Sequence, residues 1–257
     1  MMAIAPSGGA ANSNSMQVEQ SGAGPEPAAT FGQLVQRIVQ SNSGKQRALK
    51  TAKPVDDSSP WSTYKERAES YAREGNFAQA ETMWLKAISA ASDLPDSDWR
   101  RVYGADRLAE LLYGQGRMEE AEVFALKAYE ASVRIYGDAH LNAVDALSFL
   151  SAIQANLKAY DEAVSGFSRC LSLLDQMPAR DLIKRAMLLF NVAVVEHARG
   201  QFDKAEAAYV QCIQLRSSLF GPEHELTRRA LEACSELAAD RENHNQARRM
   251  VDQLLSS

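Results

Sequence analysis

The chain holds 257 residues with a formal net charge of −5 at pH 7, 46% hydrophobic and 24% charged residues, the proportions of an ordinary soluble globular protein. A mildly acidic balance without a basic stripe argues against nucleic acid as the partner, and three cysteines are too few for a disulfide framework. No apolar run approaches the roughly 18 residues that a membrane-spanning helix needs, and the apolar opening stops at Pro6 with no basic segment before it. No secretory leader is recognised, so a soluble cytoplasmic protein is expected.

Residues 1–58 differ in composition from the rest. Between Met1 and Thr30, Ala, Ser, Gly and Pro fill 18 of 30 positions, which leaves too little apolar surface to offset the entropy of ordering. A disordered tail is expected there, with one exception. Phe31, Leu34, Val35, Ile38 and Val39 follow helical spacing behind Thr30, a good N-cap, and predict a short amphipathic helix near 30–40. Either it does little, being too short to hold alone, or it docks on a partner or within the protein's own groove. Lys45, Arg47, Lys50 and Lys53, followed by Pro54 and Pro60, read as a solvated linker.

From Trp61 onward, helical apolar spacing alternates with short breaks carrying Gly, Asn, Asp or Pro, and no stretch alternates like a strand. Five segments align without gaps on one alanine: Gly75–Ala80, Gly116–Ala121, Lys158–Ala163, Gly200–Ala205 and Glu242–Ala247. The five alanines stand 41, 42, 42 and 42 residues apart, a period too regular for chance. Twelve residues earlier stands a small residue each time, Ala68, Ala109, Ser151, Ala193 and Ser235. Three residues earlier stands a larger one: Phe77, Met118, Tyr160, Phe202 and His244. Seven residues later come Ala87, Ala128, Cys170, Cys212 and Leu254. Small residues let two helices approach closely while the large ones fill the wedge beside them, so each unit predicts an antiparallel helix pair. No single pair can bury its apolar face; stacking supplies the core.

The spacing Ala68, Tyr71, Gly75, Phe77, Ala80, Trp84, Ala87 resembles that of the tetratricopeptide repeat family. The 42-residue period, with Tyr136-Gly-Asp-Ala-His140 and Phe220-Gly-Pro-Glu-His224 between units, is similar to the kinesin-light-chain-like subtype. The resemblance implies an all-α, right-handed α-solenoid of about five antiparallel helix pairs over residues 59–257. The units fall at about 61–95, 98–137, 140–177, 180–220 and 223–257, the last one degenerate, as a polar terminal cap would be. It also implies a partner-binding groove lined by the first helix of each unit. Its positions map to Lys65 and Glu69, then Tyr103, Arg107, Glu110 and Tyr113, then Phe149 and Asn156. Met187, Phe190, Asn191, Val194 and His197 follow in the fourth unit and Arg229 in the fifth. Apolar side chains on an open face would anchor an extended peptide or a helix, and Asn156 and Asn191 would pair with its backbone; otherwise Phe149, Met187 and Phe190 are partly core. The clamp by which some members hold a chaperone's C-terminal carboxylate is not matched, because Lys65 is followed by Glu69 and the third unit offers Asp145 and Phe149.

Catalytic patterns fail. Gly44-Lys45 has Val39 where a phosphate loop needs Gly, and His224-Glu225 ends at Arg228 where a zinc-protease helix needs its second His. The four histidines lack metal-ligand spacing, and the cysteines read as small buried hydrophobes. The expected function is a non-catalytic adaptor or scaffold without cofactor or metal, holding a protein or peptide on the concave face. The alternative is a structural subunit packed through its convex face and termini. The tail has five Lys/Arg against four Asp/Glu, so the repeats are slightly more acidic than the whole chain and favour modestly basic guests.

Overall fold

The computed structural model describes residues 59–177 and 181–255, with side chains to residue 246. Residues 1–58, with the Phe31–Val39 segment, lie outside the described residues. Among the described residues nine helices follow one another: α1 (Pro60–Arg73), α2 (Phe77–Ser92), α3 (Arg100–Gly114), α4 (Met118–Tyr136), α5 (Leu141–Asn156), α6 (Tyr160–Gln176), α7 (Leu182–Ala198), α8 (Phe202–Phe220) and α9 (Glu225–Leu255). Each packs against its neighbours in sequence. The protein is an all-helical solenoid.

The hairpin inside each of the first four units is made by one device. After α1, the Asn76 amide donates to the Tyr71 carbonyl at 2.8 Å and the Gly75 amide to Ala72 at 3.2 Å, closing a Schellman motif. The same two bonds recur from Arg117 to Leu112 and Gly116 to Tyr113, from Ala159 to Gln154 and Lys158 to Ala155, and from Gln201 to Glu196 and Gly200 to His197. The motif needs a left-handed residue, supplied by Gly75, Gly116 and Gly200 and, in the third unit, by Lys158 at φ 63°. The chain turns at the same step each time, and the small residues therefore meet. Ala68, Ala109, Ser151 and Ala193 are fully buried, as are Ala80, Ala121, Ala163 and Ala205. At Gly166, α6 approaches α5 so closely that a β-carbon would stand 2.0 Å from Ser151 Oγ.

Connections between units are also repeated. Tyr136 stacks on His140 at 4.9 Å and Phe220 on His224 at 4.8 Å. Each histidine accepts through Nδ1 from the backbone two residues on, Asn142 or Leu226, and so caps the next helix. Cys170 and Cys212 each donate a thiol proton to a carbonyl of the preceding helix, Val144 at 3.4 Å and Ala186 at 3.2 Å. Cys234 of α9 is half-buried. One apolar cluster runs from Trp61 to Val195 and a second joins Phe190, Tyr209 and Leu237 of α7, α8 and α9; Leu171 and Val192 touch both.

The fifth unit departs from the expected pair. α9 runs unbroken for 31 residues through Glu242, where a turn is expected at Glu242–Ala247. Glu242 stands where the other units place the left-handed residue, and it is a good helix former. Four helix pairs and one long helix result.

Lys158 holds a left-handed backbone at the expense of about 1 kcal/mol. Replacing it with Gly is expected to raise stability by about 0.5 kcal/mol after the extra unfolded-state entropy, seen as a Tm increase of roughly 1–2 °C in a thermal melt.

Candidate functional site

The first helices of successive units are linked side chain to side chain, which makes α1, α3, α5, α7 and α9 one wall. Tyr103 Oη donates to Glu69 at 2.8 Å between α1 and α3. Asn156 Nδ2 donates to Tyr113 Oη at 3.3 Å between α3 and α5. Lys184 pairs with Asp145 between α5 and α7, and His197 Nε2 meets Asp240 at 3.1 Å between α7 and α9.

The wall has two chemical halves. In units one and two, Lys65 bridges to Glu69 at 3.2 Å, and Arg107 bonds Glu110 at 2.8 Å and Asp106 at 3.0 Å. Lys65 and Arg107 both lie over the Tyr103 ring, at 5.9 Å and 5.6 Å. Burial and then the Glu69 hydrogen bond push the Tyr103 phenol well above its usual range. For Arg107, burial opposes the charged form, but Glu110 and Asp106 more than offset it. Five predicted residues, Lys65, Glu69, Tyr103, Arg107 and Glu110, thus form one charged network.

From Tyr113 onward most of the expected groove residues are apolar or uncharged, and most of them are buried. Phe149 is 8% exposed and lies edge-on to Tyr113 at 5.7 Å; Phe190 is 5% exposed and lies edge-on to Tyr209 at 5.8 Å. Val194 is buried with them, and Met187 is half-buried. Most of the apolar side chains expected on an open face therefore belong to the core: Phe149 bridges to the first helix of the preceding unit, and Phe190 packs on the second helix of its own unit. Asn156 is occupied, its amide also donating to Ala152 O at 2.8 Å. Asn191 is the opposite case: it is 2% exposed, and among the described residues neither amide atom has a hydrogen-bond partner. His197 sits beside Phe202 at 6.1 Å, and Arg229 pairs with Glu225 of its own helix.

One residue escaped the sequence reading. Arg216 of α8 is 6% exposed, lies 4.6 Å over the Phe190 ring and donates to the Leu226 carbonyl at 2.7 Å. Among the described residues no carboxylate pairs with it, and burial holds its pKa below the ordinary value, with Arg229 adding to the effect. Its signal was a break in register: the equivalent residues of the earlier units are Ala91, Ser132 and Leu174. Among the described residues no three His, Cys, Asp or Glu side chains converge to hold a metal ion, and no helix is long and apolar enough to cross a membrane.

Repeated helix hairpins sharing one continuous core, with one linked wall of side chains, define a helical-repeat solenoid. A family model for the tetratricopeptide repeat matches residues 100–176 and 184–257, and the chain belongs to that family, whose members generally serve protein–protein interaction. The fold is similar to the crystal structure of BtubC (BKLC) from P. vanneervenii, with TM-score 0.58, 20% identity, and coverage of 74% of this chain and 83% of that one. It is likewise similar to a Podosopora anserina putative kinesin light chain with nearly identical TPR-like repeats, with TM-score 0.62, 14% identity, and coverage of 79% and 96%. The Q17M form of the latter gives TM-score 0.63 at the same identity. Among curated proteins none is significantly similar in sequence.

The buried acids of the stack make a pH prediction. Burial raises Cys170 from 9.0 to about 12, Cys212 from 9.0 to about 11 and Tyr113 from 10.0 to about 12. Each binds its proton more tightly folded than unfolded, so the stability it lends is complete below pH 9 and is lost as pH rises through 11 to 12. The urea midpoint is expected to fall steadily from pH 9 to 11. It should fall less steeply in Cys170→Ala/Cys212→Ala, which units one and two show to be a tolerated residue through Ala87 and Ala128.

Proposed function

We propose that this protein is a non-catalytic adaptor that holds an extended peptide or a helix of a partner protein against the wall of first helices, centred on unit four, in the cytoplasm. Asn191 carries the reading. A carboxamide buried without any hydrogen bond costs about 1–3 kcal/mol, and a residue that only filled space there would be apolar, as Phe149 is in the preceding unit. Its donor and acceptor match the carbonyl and amide of a ligand backbone, the mode by which repeat walls recognise extended segments. Met187 and Phe190 on the same helix turn supply apolar contact once the wall opens. The charged network of units one and two, bordered by exposed Glu66, suits a ligand with basic residues at that end.

Asn191→Leu separates this role from a structural one. The variant is expected to gain about 1 kcal/mol or more of stability, a Tm rise of roughly 2–4 °C, while losing the partners captured by the wild-type protein. A lower Tm with capture intact makes Asn191 structural and overturns the proposal. Capture that survives Asn191→Leu but fails in Leu126→Asp replaces it with a subunit packed through the outer face.

A further inference from the structure

The exposed large apolar side chains of the second helices fall in repeat register. Leu85 of α2 and Leu126 of α4 occupy the same position of units one and two, five residues after Ala80 and Ala121. Val123 lies one turn before Leu126 on the same face of α4. The three are 45%, 43% and 51% exposed, in the order Leu85, Leu126, Val123. At the equivalent positions of unit three the chain carries Ser165 and Ser168, so this patch ends at the second unit, and the stripe resumes only at Val210 of α8.

The patch lies beside the point where the described chain begins. Ser59 and Pro60 line a cavity of about 460 Å³ together with Lys86 and Ser89 of α2 and its C-cap Asp93. The described chain therefore begins across this cavity from α2, beside the helix turn next to Leu85. Twenty residues upstream is Val39, the end of the Phe31–Val39 segment, whose five apolar residues share one helical face. Twenty extended residues reach about 60 Å, far more than the ~20 Å across two packed helices. A helix this short holds in water only when its apolar face is covered.

Two further observations select the outer face over the groove. The wall of first helices has turned most of its apolar side chains inward, with Phe149, Phe190 and Val194 buried. On α4, exposed Glu119 stands one turn before Val123 and exposed Glu130 one turn after Leu126, and the intervening linker carries Lys45, Arg47, Lys50 and Lys53. Apolar surface is thus complementary between segment and patch, while the patch's rim carries exposed Lys86 and Lys127 beside these carboxylates.

We propose that Phe31–Val39 docks in cis, as an amphipathic helix, on the outer face of the first two units over Leu85, Val123 and Leu126. The docked segment leaves the wall of first helices open to a partner and gives the first two units a second apolar layer. Amide hydrogen exchange of the full chain tests this. Residues 31–39 are expected to exchange at least ~10-fold more slowly than an unstructured chain. The protection should vanish both in Leu34→Asp/Ile38→Asp and in Val123→Asp/Leu126→Asp, which alters exposed positions and keeps the helical circular dichroism. It should persist in Met187→Asp. Absence of protection in the wild type overturns the proposal, as does protection that survives Val123→Asp/Leu126→Asp. Loss in Met187→Asp would place the segment in the groove instead, and protection that grows with protein concentration would assign it to a second copy; each overturns docking in cis on the outer face.

Discussion

The left-handed step that closes each first helix governs everything downstream of it. A Schellman motif ends the helix by returning two amides to its last turn, and that geometry fixes both the direction and the rotational phase of the next helix. With the phase fixed, the alanine five residues beyond the left-handed position always faces the small residue seven before it. Close helix approach, the fully buried pairs Ala68/Ala80 through Ala193/Ala205, and the stacking of units all follow. Where the step is missing, at Glu242, the helix simply continues. The architecture is thus a local backbone event repeated, with tertiary packing as its consequence.

This explains which parts of the fold could be read in advance. The alanine period and the glycines before it are local signals, and they located the first four hairpins. The fifth failed because alignment to a register does not reveal whether a turn forms: Lys158 turns without being Gly, while Glu242 does not turn. The local difference is that the Lys158 amide returns to Ala155 and closes a Schellman motif, whereas Glu242, a good helix former, continues the helix.

The candidate site was legible to a different degree. Its charged half follows from helical spacing, because Arg107 and Glu110 are one turn apart and Tyr103 reaches the neighbouring Glu69. For the apolar half the sequence left two readings, open face or partial core, and Phe149 and Phe190 follow the second. Position in a repeat says which wall a side chain belongs to, and it does not say whether a large ring will fold back onto its neighbour, as Phe149 does onto Tyr113. Arg216 was missed for the complementary reason: it stands at a position whose ordinary occupants are small or apolar, so only its departure from the pattern distinguished it.

The two ends of the array show why a quasi-linear protein distributes its chemistry unevenly. Inner units bury the residue four before the small one, Ala105, Leu147 and Leu189, between neighbours. The same position in α9 is Leu231, 45% exposed. At the other end, the residue before the small one is Leu108 or Leu150 inside the stack but exposed Arg67 in the first unit. One end face is therefore charged and the other partly apolar, and nearest-neighbour stacking makes each an independent local problem. The middle units are constrained on both sides and cannot accommodate a polar misfit without cost. Among the described residues, a buried carboxamide without a hydrogen bond, Asn191 next to Phe190, and a buried guanidinium without a carboxylate, Arg216 over the Phe190 ring, both sit there and not at a terminus where water would solvate them, which is the strongest physical reason to look for function at unit four.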